Sequence, residues 1–275
     1  MTMMGLRLFS RRYAAVVGVA TAGMLVSSVL TSPYATLLVS LTALFVGGGT
    51  LSVVRSQPSS GSRLLRRAPM AHTIVPATLA FGGALFTLQL LGGFYRPLGM
   101  ALTSLGVALA VYCQYVLAAP LDHKPAYRTR LPDGQAGRPA FARLVTDLAV
   151  YLAAFLLFVV LLNTGLNSLL SALGLGIVSG LLCLELFQGA EDDPRRAALY
   201  SGVVGVLMAQ VSWVLHYESF DHVVTGLLLL LGFYLLSGLV HNHLLNRLSR
   251  GVALEFIGVT VIGLGLLYAF RALSG

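Results

Sequence analysis

The chain has 275 residues, 57% of them hydrophobic and only 10% charged, with a mean hydropathy of +0.84 and a formal net charge of +8. A water-soluble globular domain carries about 25% charged and 45–50% apolar residues, so this composition excludes a soluble fold. The alternating ten-residue segments of a membrane barrel are absent, which leaves an all-α, polytopic transmembrane helix bundle.

Crossing ~30 Å of hydrocarbon takes ~20 apolar residues in helix, and about nine runs approach or reach that length. Span one, 13–30, follows a basic start carrying Arg7, Arg11 and Arg12. Ser10-Arg11-Arg12 is similar to a twin-arginine export signal. More spans follow at once, so the run is read as a first membrane anchor. Span two, 34–54, is preceded by Pro33 and leads into a loop with Arg55, Arg63, Arg66 and Arg67. Span three, 71–93, contains Pro76 near its start, where a kink is allowed and a break is not required. A Phe94-Tyr95-Arg96-Pro97 turn opens span four, 97–119.

The long connection 120–143 is rich in Pro, Gly and charge, with Lys124, Arg128, Arg130, Arg138 and Arg143 against Asp122 and Asp133. Its basic character suits anionic lipid headgroups. Spans five to nine follow at 144–163, 168–189, 197–217, 223–245 and 252–270. Residues 1–275 read as a single transmembrane domain without internal repeat. With the N-terminus in the cytoplasm, all basic residues except Arg96 and Arg271 fall on the inner side. The positive-inside rule therefore places the N-terminus inside. It also accounts for the net charge without nucleic acid, and the expected location is a bacterial cytoplasmic membrane.

Three carboxylates lie within apolar runs, where ionisable groups are costly and so become functional candidates. Asp147 and Glu255 each sit near a helix start, where the dipole favours an acid, and a first-turn carboxylate reaching interfacial water explains them equally well. Glu185 sits near the end of span six, where the dipole opposes it, and therefore calls for a partner or a proton. Arg195, Arg196, His241 and His243 are the candidates. The last two are about 200° apart around a helix and cannot face one metal together, so no metal site is expected. These five residues, Asp147, Glu185, His241, His243 and Glu255, form a candidate relay or ion-pair set. At the other face Gln210, Trp213 and Tyr217 share a stripe, and His216, Glu218, Asp221 and His222 surround the following turn. Interfacial anchoring is the ordinary reading of this cluster; a mouth that captures cations or a partner is the sharper one.

Cys113 and Cys183 fall in apolar runs and read as buried hydrophobes. Glycine is abundant, and Gly176-x-x-x-Gly180 permits close helix approach. The single lysine, Lys124, lies in a loop, which excludes a retinal-type Schiff base within a span. No Walker loop, G-x-S-x-G, H-E-x-x-H or haem-attachment motif occurs, and no cofactor is indicated.

The order Arg196…Tyr200…Trp213, Phe233-Tyr234…Gly238, Glu255-Phe256 resembles an uncharacterised family of polytopic bacterial membrane proteins over roughly the last 80 residues. That resemblance implies a membrane bundle and carries over no activity and no functional residue. The functional expectation is an accessory or scaffold subunit of a membrane assembly, with protein partners in the membrane. The alternative is a small transporter using the carboxylate/His set as a proton or cation relay, and a third reading is an intramembrane enzyme acting on lipid.

Overall fold

The computed structural model describes residues 3–30, 32–55, 71–118, 133–188, 193–217, 220–245 and 249–274. Among these residues there are nine helices and no strand. They are α1 (Met3–Val29), α2 (Tyr34–Arg55), α3 (Ala71–Leu90), α4 (Tyr95–Ala118), α5 (Asp133–Asn163), α6 (Ser168–Gln188), α7 (Pro194–Leu215), α8 (His222–Leu244) and α9 (Arg250–Ser274). The first eight are long and apolar enough to cross a membrane, and α9 covers the ninth expected span. The expected all-helical architecture of about nine spans is therefore present.

The boundaries differ from the sequence reading in ways the backbone explains. Hydropathy marks only the apolar part of a helix, so α1 starts earlier than residue 13 and α5 starts at Asp133, making 133–143 helical rather than loop. Helix α3 stops at Leu90 because Gly92 and Gly93 turn the chain, Gly93 with φ of 54°; positive φ is cheap only for glycine. Pro76 leaves α3 unbroken. Pro33 lies one residue ahead of α2, after a cis peptide bond, and its carbonyl accepts from Leu37 N. Helix α7 ends at Leu215, which puts Tyr217 in the turn rather than in the span.

The chain falls into two compact units, Met1–Ala153 and Ala154–Gly275. The division lies inside α5 and not in the polar connection before it. In the first unit α1 packs on α2 and α4, and α3 packs on α2 and α4. Arg12 Nη1 donates to Ser52 O, Val16 meets Gly49 and Gly23 meets Thr42. Partners step backward along α2 as they step forward along α1, so the pair is antiparallel. The same reversal appears between α3 and α4, where Leu79, Gly83 and Thr87 meet Gly106, Thr103 and Gly99.

In the second unit α6 packs on α7, α7 on α8 and α8 on α9. The α6–α7 contact is nearly backbone to backbone. A Cβ added to Gly205 would lie 2.7 Å from the Gly176 carbonyl oxygen, and one on Gly176 would lie 2.8 Å from that of Gly205. Gly180 faces Ser201 O in the next turn. The Gly176-x-x-x-Gly180 spacing thus does what small residues do in membrane bundles, bringing two helices together without side chains between them. Helix α9 is held on α8 by the Phe256 ring, which occupies the notch left by Gly238 and lies 5.1 Å from the Tyr234 ring.

Both units are built with large apolar residues outward. The interior is rich in Ala, Val, Ser and Thr, whereas Leu37, Leu41 and Leu44 on α2, Leu102, Leu105 and Leu109 on α4, and Leu144, Leu148 and Leu152 on α5 are exposed. Such stripes are far more extensive than the exposed apolar patches of soluble monomers; in a bilayer they face acyl chains. Four buried hydroxyls return to their own helix, Thr42 to Leu38 O, Thr50 to Val46 O, Thr87 to Gly83 O and Ser201 to Ala197 O, all at 2.7–2.8 Å, whereas those of Thr146, Ser171 and Ser179 have no partner among the described residues. This local bonding removes the penalty of a polar group in an apolar medium.

Candidate functional site

The antiparallel order of the second unit gathers the end of α6, the start of α7, the end of α8 and the start of α9 at one end. Glu185 lies three residues before the end of α6, and His241 three before the end of α8. Both are half-buried, and Glu185 Oε2 and His241 Nδ1 are fully enclosed. His243, two residues on, is exposed and turns its ring edge to Tyr200 of α7, with centroids 6.0 Å apart. The opposed directions of His241 and His243 follow from the ~200° between them on the helix. Asn242 Nδ2 donates to Gly238 O. Glu255 is exposed at the start of α9, beside the Phe256 that docks on α8. Arg195 and Arg196 are exposed in the first turn of α7.

Asp147 belongs to the first unit, not the second. It is half-buried and lies 4.0 Å from Arg143 Nε one turn earlier in α5, with both side chains more than a third exposed. At that distance and exposure the pair contributes at most ~0.5 kcal/mol. Among the described residues no group of three or more His, Cys, Asp or Glu is placed to hold a metal ion.

The opposite end of the second unit carries the aromatic cluster. Trp213 Nε1 donates to Tyr217 Oη at 3.0 Å, and the His216 ring lies edge-on to Tyr217, 6.3 Å away. Gln210, Trp213, His216 and Tyr217 are all exposed, as are Asp221 and His222. Asp221 serves the fold, since its Oδ2 accepts from Val223 N and caps α8. This is the ordinary use of Asp ahead of a helix, and Asp193 caps α7 in the same way. Glu218 lies outside the described residues, as do 119–132 of the basic connection.

Two polar residues of the first unit stand outside the candidate set read from sequence. Gln114 is completely buried in α4, although a search for charged residues within apolar runs passes over it. Arg96, at the start of α4, is half-buried instead of solvated. Its position opposite the other basic residues was the available signal.

Helices with exposed leucine stripes and interiors of small residues define a multi-pass integral membrane protein. The chain belongs to the DUF5656 family, described as a protein of unknown function, whose family model matches residues 12–270. The likeness to an uncharacterised family therefore runs through nearly the whole chain, not the last third alone. No curated protein and no solved structure matches the chain.

Proposed function

We propose that this protein is an accessory or scaffold subunit of an assembly in a bacterial cytoplasmic membrane, with its N-terminus inside. The observation that carries this reading is the way the polar groups of the spans are used. The described Thr and Ser hydroxyls that hydrogen-bond do so mainly to carbonyls of their own helix, and α6 and α7 meet backbone to backbone. Such packing favours a rigid element that presents apolar faces over a polar path through the membrane. The family match across both units supports one transmembrane domain over 1–275, and the one-sided distribution of basic residues supports the orientation. The connection 120–143 then lies against anionic headgroups. Native mass spectrometry after gentle extraction tests the subunit reading: a stoichiometric foreign protein is expected, and a monomer or homo-oligomer would count against it.

A second reading has its own support. Glu185 Oε2 and His241 Nδ1 are both enclosed at the same end of one unit, where a carboxyl and an imidazole suit proton or cation transfer. In that reading Glu185 is the central group of the relay, and His241 and Glu255 of the same unit assist it. Uptake by vesicles that loses its pH dependence in Glu185→Gln would favour the relay. Unchanged uptake and pH dependence would remove it.

A further inference from the structure

Helix α9 docks on α8 through one face. The Phe256 ring occupies the notch at Gly238, and a Cβ added to Gly263 would lie 3.0 Å from the Leu231 side chain of α8. The opposite face, about 170° around the helix, carries Gly251, Leu254, Gly258, Val261 and Gly265. Leu254 and Val261 are 67% and 60% exposed, and a Cβ added to Gly258 or Gly265 would meet nothing within 4 Å. Exposed leucine alone implies contact with acyl chains, as on α2 and α4. This face differs from those in its spacing and in its charges.

The spacing is a heptad. Glycines recur at 251, 258 and 265, with Leu254 and Val261 at the intervening positions, which is the seam of two helices crossing at about 20°. Glycine along such a seam lets two backbones approach closely. Arg250 and Glu255 flank the seam on opposite sides, and both are exposed. They stand about 140° apart around the helix, and among the described residues neither forms an ion pair. In a parallel pair of heptad helices, the residue just before a seam position lies beside the residue five further on in the partner helix. Arg250 of one helix would therefore meet a carboxylate at the height of Glu255, and Glu255 a cation at the height of Arg250. A second copy of this chain, inserted in the same sense, supplies both at once, because a two-fold axis turns each contact into its reciprocal.

We propose that the protein forms a two-fold homodimer in the membrane through this face of α9, set in register by reciprocal Arg250–Glu255 ion pairs. The contact goes beyond the accessory-subunit reading and does not depend on it. A foreign subunit on another face would be found with two copies of this chain, and a dimer lacking one would count against the subunit reading alone.

The test is disulfide cross-linking of the full-length protein in the membranes of the cells that produce it, with Cys113 and Cys183 replaced by alanine. Leu254→Cys and Val261→Cys are expected to give a species of twice the chain mass. Val259→Cys, also exposed but about 120° away from the seam, is expected to stay monomeric. Arg250→Glu and Glu255→Arg are each expected to lower the Leu254→Cys yield at least about fivefold, since two ion pairs become two repulsions. Combining the two exchanges is expected to restore it. Gly258→Leu, at a position open in the single chain, is expected to lower the yield through blocked backbone approach. Equal yields at Leu254→Cys and Val259→Cys would overturn the proposal, as would no dimer from either seam position. A double exchange that stays as low as the single ones would remove the ion pairs. An adduct with a foreign protein in place of the dimer would assign this face to another partner and end the proposal.

Discussion

Replacing Gly205 with alanine puts the helix-packing account to a quantitative test. The added methyl would lie 2.7 Å from the Gly176 carbonyl oxygen and 3.4 Å from Gly180 N and Cα. These are backbone atoms, so no rotamer relieves the contact, and α6 and α7 must separate by roughly half an ångström. A gap of 0.5–1 Å forfeits about a quarter to a half of each dispersion contact across the interface, and overpacking of this kind costs about 1–3 kcal/mol. Against it stands the gain of about 0.5–1 kcal/mol from replacing a helical glycine by alanine. Gly202→Ala isolates that gain: Gly202 is on the same helix, and an added methyl there meets nothing within 4 Å. The propensity gain cancels in the comparison, leaving a difference between the two variants of about 1–3 kcal/mol. Thermal unfolding in detergent, followed by circular dichroism, measures it. Variants that agree within about 0.5 kcal/mol would refute the close backbone contact, since distant surface changes fall within that range.

Three further outcomes follow from single contacts. Phe256→Ala empties the notch at Gly238 and is expected to cost about 3 kcal/mol or more, with hydrogen exchange rising first in α9; protection of α9 equal to wild type would contradict the docking. Asp221→Ala is expected to lower stability by about 1 kcal/mol through loss of the cap on α8, while Asp221→Asn keeps most of it. Equal losses in the two would point to the charge and not the cap. Trp213 is the single tryptophan, and its hydrogen bond to Tyr217 places it beside the turn. Its fluorescence should therefore be quenched more by lipids brominated near the headgroup than by those brominated deep in the chain, and the opposite order would remove it from the interface.

Element type was legible from sequence because hydrophobic run length is a direct reading of bilayer thickness. Ends were less legible: α1 and α5 extend beyond their apolar runs, and hydropathy has no term for helix continuing into water. The Gly176–Gly180 contact was readable as a spacing, but its partner was not, since Ser201, Gly205 and Ala209 meet it only after the chain reverses at Asp193 and Pro194. Among the polar residues, carboxylate and imidazole positions could be ranked by depth and dipole. What could not be read was burial. Places relative to the helix ends set Glu185 apart from Glu255 and put Asp221 ahead of a helix, but how far each side chain is covered depends on which neighbouring helix packs over it.

Single-cysteine accessibility in sealed vesicles reads the alternation of the loops across the membrane. With the buried Cys113 and Cys183 replaced by alanine, one cysteine at a time is introduced at Ser60, Ala126, Glu191, Phe94, Thr164 or Ser219, and labelled with an impermeant maleimide. The expected result is labelling of the first three from the cytoplasmic side only and of the last three from the opposite side only. Labelling of Ala126→Cys and Phe94→Cys from the same side would contradict the topology, and labelling of all six from both sides would contradict the membrane bundle itself.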